Sequence, residues 1–479
     1  MFDPGAERDA RLLIDGRWRD GAETWVVNDK FNGSPCGRGH IASKSQVDAA
    51  VAAAKRSFES VKLEPYQRYR ILMKAAELIE ARKDLLARTI VAEAGFPYVD
   101  ADNEVIRAAQ TFIVSAEEGK RLSGEVVPIE AAPGNAHRMA FTIRVPRGVV
   151  CGITSFNSPL NMVAHKVAPA LAAGNTVVIK PPDVAPFSAT LLAQIMLDAG
   201  LPPGHLNLVH GPGSQVGPWL TSNPDVAFYS FTGSTPVGKT IRGAVGLRPV
   251  ALELGSIAAT IVCDDADLDR AATRCVQSAF RRAGQACTSI QRLFVHRSVL
   301  AEFVPRLLTV ARALKVGDPH DRQTVIGPMI SERDAARAEA WVNEALAQGA
   351  RLLLGGTREG ALMQPTILTD VTASMRVMCE EIFAPVMSIV PFDDFDAAVT
   401  QINSTPFGLA AGVFTRDVMR ALDAARRIHV GVVHINEASS SRVDLMPFAG
   451  VKDSGVGSEG PRYAMREMTE ERLVTASLR

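Results

Sequence analysis

From Arg147 onward the chain repeats one unit: a short apolar run, a polar or Gly/Pro-rich stretch, then a segment of helical spacing. Val149-Val150-Cys151-Gly152-Ile153-Thr154, Thr176-Val177-Val178-Ile179, Leu206-Asn207-Leu208-Val209, Ala227-Phe228-Tyr229 and Val250-Ala251-Leu252 are such runs. They lie roughly 20 to 30 residues apart, with helical stretches such as Ser188–Leu197 between several of them, which predicts βαβ units and a parallel sheet. A second αβ series begins near Ile261. Its spacing predicts helices over Leu268–Ala283, Leu300–Ala313 and Asp334–Gln348, and strands over Arg292–Val295, Arg351–Leu354, Met387–Pro391 and Gly412–Thr415. The fold class is therefore α/β, with a parallel-sheet domain followed by a second α/β domain.

Ahead of the first sheet, Leu12–Trp18 reads as a hairpin with an Asp15-Gly16 turn. Ser45-Gln46-Val47-Asp48 resembles a capping box. It opens a helix whose Val47, Ala50, Val51, Ala54 and Phe58 share one face. A helical pattern from Tyr66 to about Ala94 places Leu72, Ala75, Ala76, Leu78 and Ile79 inward and ends at Gly95 and Pro97. A third helix is expected from Asp100 to Leu122, and Leu473–Leu478 reads as a strand-like tail that pairs with a neighbouring subunit or frays.

Composition excludes several classes of function. Of 479 residues, 22% are charged and the formal net charge is zero, which leaves no electrostatic footprint for nucleic acid or an anionic membrane. Six cysteines without CxxC spacing argue against a zinc site or a disulfide scaffold and fit reduced thiols in the cytoplasm. Met1-Phe2-Asp3-Pro4-Gly5 lacks the apolar core of a signal peptide, and no apolar run approaches the ~20 residues of a membrane span.

In parallel sheets, ligands bind beyond the carboxyl ends of the strands. Here those ends read Ser155-Phe156-Asn157, Lys180-Pro181-Pro182-Asp183, His210-Gly211-Pro212-Gly213 and Phe231-Thr232-Gly233-Ser234. That is the expected place for a nucleotide. Asn157 could donate to an oxyanion or simply form an Asx-turn. Lys180 and Asp183 could bond ribose hydroxyls or end a solvated strand. Phe231 to Lys239 reads as strand, glycine turn and helix start, which suits phosphate; Gly211 to Gly217 is one residue too long for GxGxxG, and each glycine signal alone is weak. Glu253 ends an apolar strand, where a partly desolvated carboxylate would have a raised pKa and could act as general base. His165 and His296 could serve a thiol hydrolase, but both read as core or surface residues.

Arg281-Arg282-Ala283-Gly284-Gln285-Ala286-Cys287-Thr288 joins a helix to a strand, and Gly284 is free to take positive φ there. The loop presents one thiol with two arginines just upstream. A free thiol is only a few per cent thiolate at neutral pH, so a nucleophile needs positive charge, a helix N-terminus or a base nearby. The alternative is a small buried residue.

Taken together, these segments resemble the NAD(P)-dependent aldehyde dehydrogenases from about residue 10 onward. Gly284-Gln285-Ala286-Cys287 is similar to the segment of the catalytic cysteine, Glu253-Leu254-Gly255 to that of the general base, and Phe231 to Ser234 with Val237-Gly238 to the pyrophosphate turn. Glu380-Glu381-Ile382-Phe383 resembles the residues that hold the nicotinamide ribose and ring, and Pro447 to Gly455 the family's late loop. The resemblance implies a Rossmann-like cofactor domain (residues 1–122 and 144–251), a catalytic domain (252–445) and a bridging oligomerisation element (123–143 and 446–479). It implies Cys287, Glu253, Asn157 and Lys166 as catalytic residues. Cofactor contacts would come from Ser155, Phe156, Lys180, Asp183, Gly213, Gly217, Phe231, Thr232, Gly233, Ser234, Val237, Leu254, Gly255, Glu381 and Phe383. It also implies a homodimer or homotetramer acting on a small-molecule aldehyde.

The chain departs from the family pattern at Ser155-Phe156 (commonly Pro-Trp), Ser256-Ile257 (commonly Gly-Lys) and Ala449 (commonly Gly). Asp183 stands where many members have glutamate, which favours NAD over NADP. The residues around Asn157 and from Ser441 to Phe448 look like the lactaldehyde- and phosphonoacetaldehyde-oxidising branch. Arg107, Asn161, Ala286, Thr288, Arg442 and Phe448 are then the substrate residues, and Ala286, where an arginine is expected for phosphonoacetaldehyde, favours a small hydroxy-, carboxy- or aromatic aldehyde. A CoA-acylating relative and a catalytically silent binding protein on the same fold remain the alternatives.

Overall fold

The computed structural model describes residues 8–478. The reading of Met1 to Gly5, the first seven residues of the expected cofactor domain and Arg479 lie outside them. Two parallel-type sheets carry the molecule. The eight-stranded sheet runs, across its width, Gly455–Val456, Val250–Glu253, Val226–Thr232, Val149–Ile153, Thr176–Lys180, Leu206–Leu208, Leu12–Ile14 and Arg17–Arg19. Its five middle strands are parallel and the added strands at both edges antiparallel. Residues Thr176 to Lys180 are all buried, as expected of a strand covered on both faces by helices. The strand order reverses beside Val149–Ile153, so the crevice of this sheet opens between the ends of Val149–Ile153 and Val226–Thr232.

The seven-stranded sheet runs Arg351–Leu354, Thr366–Thr369, Val386–Phe392, Arg292–His296, Ala259–Val262, Ala410–Phe414 and Val432–Ile435, parallel except at its first edge. A three-stranded sheet joins Thr469–Ser477, Arg138–Pro146 and Val126–Val127. The expected tail is thus a strand that pairs along its whole length with its own chain.

Local details depart from expectation at three points. The first helix, Lys44–Ser60, is capped by Ser43 and Gln46 in a reciprocal box, two residues ahead of the expected one. The long helix from Tyr66 divides into Pro65–Ala81 and Lys83–Ala94 at Arg82, whose guanidinium pairs with Asp198 at 2.6 Å. Gly95 ends the second half in the left-handed conformation, as its position suggested. The helix read as Leu268–Ala283 ends at Phe280, because the next residues are bent into the loop described below.

Candidate active site

After Phe280 the chain takes three consecutive positive φ values: Arg282 at 52°, Ala283 at 51° and Gly284 at 68°. The two non-glycine residues cost about 1–3 kcal/mol each and persist only where their surroundings over-determine them. Asp100, on the helix Tyr98–Gly119, accepts from Arg281 Nε at 2.7 Å and from the Arg282 amide at 3.2 Å. The Arg282 guanidinium donates to the Asn157 carbonyl at 2.5 Å, and the Gln285 side chain donates to the Arg282 carbonyl and accepts from the Ile330 amide. At Gly284 a Cβ would collide with the Ala384 carbonyl, so only glycine fits. The loop carries Cys287 to the mouth of a cleft of about 650 Å³ shared with Asn157.

The two upstream arginines are engaged by Asp100, Glu104 and the Asn157 carbonyl. Cys287 keeps part of its surface in the cleft. Burial nevertheless pushes its thiol up to about 12; Glu253 and Glu381 push the same way and Arg442 opposes them.

Glu253 ends its strand fully inside the protein, and neither carboxyl oxygen has a hydrogen-bond partner. Burial and the nearby charge of Glu459 raise its pKa well above the ordinary carboxylate range. Lys166, with no exposed surface, donates to Glu459 at 2.9 Å, Thr232 at 2.9 Å and Ser230 at 3.2 Å. Arg442 reaches the other oxygen of Glu459 at 3.3 Å and lies over the Phe448 ring. Although burial alone would raise Glu459, Lys166 and Arg442 hold it well below its usual value.

On the crevice side, Val226–Thr232 passes through Gly233 into the helix Thr235–Ala244. Ser234 makes no side-chain cap there, so the amides of the first turn keep their donors for an anion. Gly238 lies against Leu254, where a Cβ would strike the leucine side chain. Glu381 accepts from the Ser256 amide at 2.8 Å beside Gly255, and burial raises it to about 7. Phe383 holds φ 51° and meets Phe156 edge-on at 5.9 Å. Lys180 is buried, with burial lowering it to about 8 against the charge of Asp183, and its ammonium donates to the Pro181 carbonyl at 2.9 Å. Gly213 and Gly217 fall in the first turns of the helix Gly213–Ser222 with open space around them, and Val237 is exposed. Two expected cofactor residues are placed otherwise: Phe231 is buried beneath Gly233, and the Thr232 hydroxyl turns inward to Glu459 and Lys166. The remaining set fits a dinucleotide, with free helix amides for a pyrophosphate and a carboxylate and a lysine for ribose hydroxyls.

Arg107, Asn161, Ala286, Thr288, Arg442 and Phe448 all line the cleft that holds Cys287. Arg107 differs from expectation in one respect: its fork is already filled by Asp444, at 3.1 and 2.7 Å. Asp444 also engages His165 at 2.9 Å and Asn161 at 3.2 Å. Three guanidinium groups lining this cleft keep nitrogens without a hydrogen-bond partner, Arg281 at Nη2, Arg282 at Nε and Nη2, and Arg442 at Nε; Arg281 also lines an outer cleft. Arg281, His165, Asp444 and Glu459 escape a reading of the sequence as site residues. For Glu459 no pattern marks the position, since its partner Lys166 lies 293 residues away.

Among the described residues, no group of three or more His, Cys, Asp or Glu is placed to hold a metal ion, and no helix is long and apolar enough to cross a membrane.

Comparison with known proteins matches residues 18–474 to the profile described as "Aldehyde dehydrogenase family". The chain is 48% identical over 467 residues to the 3-sulfolactaldehyde dehydrogenase of Priestia aryabhattai, spanning 98% of each protein. It is 36% identical over 468 residues to the lactaldehyde dehydrogenase of Methanococcus aeolicus, covering 97% of this chain and 99% of that one. Among solved structures, NADP-dependent glyceraldehyde-3-phosphate dehydrogenase from Bacillus halodurans, complexed with NADP, matches with a TM-score of 0.96 and 36% identity, over 98% of this chain and 100% of that chain.

Proposed function

The chain belongs to the aldehyde dehydrogenase family, and from that premise we propose that it oxidises a small aldehyde bearing an anionic group to the carboxylic acid, with NAD as acceptor. The observation that carries the anionic group is the set of cleft-lining arginines with unpartnered nitrogens, Arg281, Arg282 and Arg442, of which Arg281 is the most exposed. A guanidinium suits a sulfonate or carboxylate on the substrate. The two relatives differ in the same feature, because a 3-sulfolactaldehyde is a lactaldehyde carrying a sulfonate.

A dinucleotide would be held by the amides of the helix Thr235–Ala244, Lys180, Asp183, Glu381 and Phe383. It would supply the hydride acceptor that turns the cysteine adduct into a thioester. Cys287 Sγ, its proton released to solvent, attacks the aldehyde carbon, and Asn157 with the Cys287 amide stabilises the oxyanion, a contact worth ~3–4 kcal/mol in such sites. The Asn157 side chain is turned for this, since its oxygen accepts from the Ser155 hydroxyl at 2.7 Å and leaves the NH2 to donate. Glu253 takes a proton from the water that hydrolyses the thioester, releasing the acid and the free thiol. Its unpartnered oxygens keep their acceptor capacity for that water. Lys166, paired with Glu459, holds the floor of the site in place.

NAD is favoured over NADP by Asp183, whose charge near a 2′-phosphate would cost a few kcal/mol at most, about the Coulomb energy of a solvated pair. Cytoplasmic residence accords with six free cysteines. The domain division expected from the sequence is retained as part of this reading. So is a dimer or tetramer, built on the three-stranded sheet with its exposed Val126, Met139, Ile143 and Leu473.

The test is NADH formation without CoA from 3-sulfolactaldehyde, lactaldehyde and an aromatic aldehyde, beside Cys287→Ala. Turnover of the sulfonated aldehyde by the wild type and none by the variant is expected. Turnover that requires CoA, or a variant with full activity, would overturn the reading.

A further inference from the structure

The two halves of the proposed carbonyl site come from different sheets. Asn157 follows a strand of the eight-stranded sheet, and Cys287 precedes a strand of the seven-stranded one. Nothing in either loop alone sets the distance between them. One buried carboxylate touches both. Glu104, on the inward face of the helix Tyr98–Gly119 and without exposed surface, accepts through Oε1 from the amides of Leu160 at 2.9 Å and Asn161 at 3.2 Å. Those amides begin the helix that follows Asn157. Its Oε2 faces Arg282 Nη2 at 3.1 Å, an ion pair not aligned as a hydrogen bond. The same guanidinium donates through Nη1 to the Asn157 carbonyl and stacks over Phe96 at 5.0 Å. Arg282 pays for this reach with left-handed backbone five residues before the nucleophile.

We infer that Glu104 and Arg282 form a clamp that positions Asn157 against Cys287, so that the oxyanion is met by donors from both loops. Neither residue is given a chemical step. The clamp rests on the proposed carbonyl site and acts through Asn157. Proximity effects make such positioning matter, because a misplacement of about 1 Å can cost about 100-fold in rate. Arginine suits the position because its planar fork can meet a carboxylate and a carbonyl at once, which a lysine ammonium on a flexible stem cannot.

The experiment is a double-mutant cycle on the full chain, with Arg282→Gln, Asn157→Ala and both together, read as kcat and KM for the aldehyde. Cofactor binding and the rate of Cys287 alkylation by iodoacetamide are measured on each protein. Arg282→Gln is expected to lower kcat at least about 10-fold, with cofactor affinity and alkylation within about threefold of wild type. In the Asn157→Ala background the same substitution is expected to cost less than about threefold, since residues acting as a unit are not additive. Glu104→Gln, which keeps the acceptor for Leu160 and Asn161 but loses the charge, is expected to show a smaller loss of the same pattern. It carries the test together with Arg282→Lys if Arg282→Gln does not fold. Additive losses in the cycle, an unchanged kcat, or a parallel loss of cofactor binding would each overturn the clamp. A wild type inactive on every aldehyde would instead overturn the proposed function, and the clamp with it.

Discussion

Replacing Arg281 with methionine is expected to separate anionic from neutral substrates. The guanidinium has two tasks in this reading: Nε holds Asp100 at 2.7 Å, while Nη2 has no hydrogen-bond partner and the side chain lines the cleft. A charge-assisted hydrogen bond from Nη2 to a sulfonate is worth about 1.5–3 kcal/mol, well under the unscreened Coulomb energy, because the side chain is about one-third exposed and Asp100 already offsets part of its charge. At about 1.4 kcal/mol per decade, kcat/KM for 3-sulfolactaldehyde falls roughly 10- to 150-fold. Lactaldehyde, with no anionic group, loses only what the loop loses when Asp100 is freed. Asp100→Asn measures that loss separately, since asparagine can still accept from the Arg282 amide. The assay is initial-rate NADH formation with both aldehydes for wild type, Arg281→Met and Asp100→Asn. Equal losses on both aldehydes, or no loss on the sulfonated one, would refute the assignment of Arg281.

Glu253→Gln is expected to leave the first NADH burst at about one per active site and to slow steady turnover about 10²–10⁴-fold, as seen when a general base is removed; rapid-quench kinetics checks it, and a lost burst would sink the role. The same group bears on stability. Its folded pKa is raised, so its contribution is fully present below the ordinary carboxylate range and is lost as pH rises through the raised value. The glutamine variant is accordingly expected to gain in Tm over wild type at pH 8 but not at pH 4, by scanning calorimetry. Lys166→Met strands Glu459 with Arg442 alone and is expected to cost about 3–5 kcal/mol, measured by urea unfolding; a cost below about 1 kcal/mol would show the pair to be dispensable. Asp183→Ser is expected to raise kcat/KM for NADP relative to NAD, and a wild type that already prefers NADP would contradict the role of Asp183.

Much of the layout was legible because it rests on local chemistry. The apolar runs Val149–Thr154 and Thr176–Ile179 are strands within a residue or two, since fully buried parallel strands are continuous in hydrophobicity. Asp15 and Gly16 both adopt the positive φ that their hairpin turn requires. Gly284 does likewise in the Cys287 loop. The family resemblance read from the motifs agrees with a profile match over residues 18–474. What was not legible depends on partners distant in sequence. The left-handed Arg282 and Ala283 look like helix until Asp100 and Asn157 take their hydrogen bonds. Arg107 looks like a free substrate arginine until Asp444, 337 residues on, fills its fork. The positive charge just upstream of Cys287 looks available to the thiol until the arginines are seen to pair with Asp100 and Glu104. In each case periodicity and propensity describe the segment, while the outcome is set by a contact they do not encode.

The pairing of Lys166 with Glu459 also has a consequence for synthesis. A ribosome makes the lysine 293 residues before its carboxylate, and the strand Gly455–Val456, which closes the edge of the same sheet, comes equally late. Until then a sheet folded as in the finished protein would hold the Lys166 ammonium with only the Ser230 and Thr232 hydroxyls for company, so a chain halted between residues 232 and 459 is expected to lack a settled first sheet.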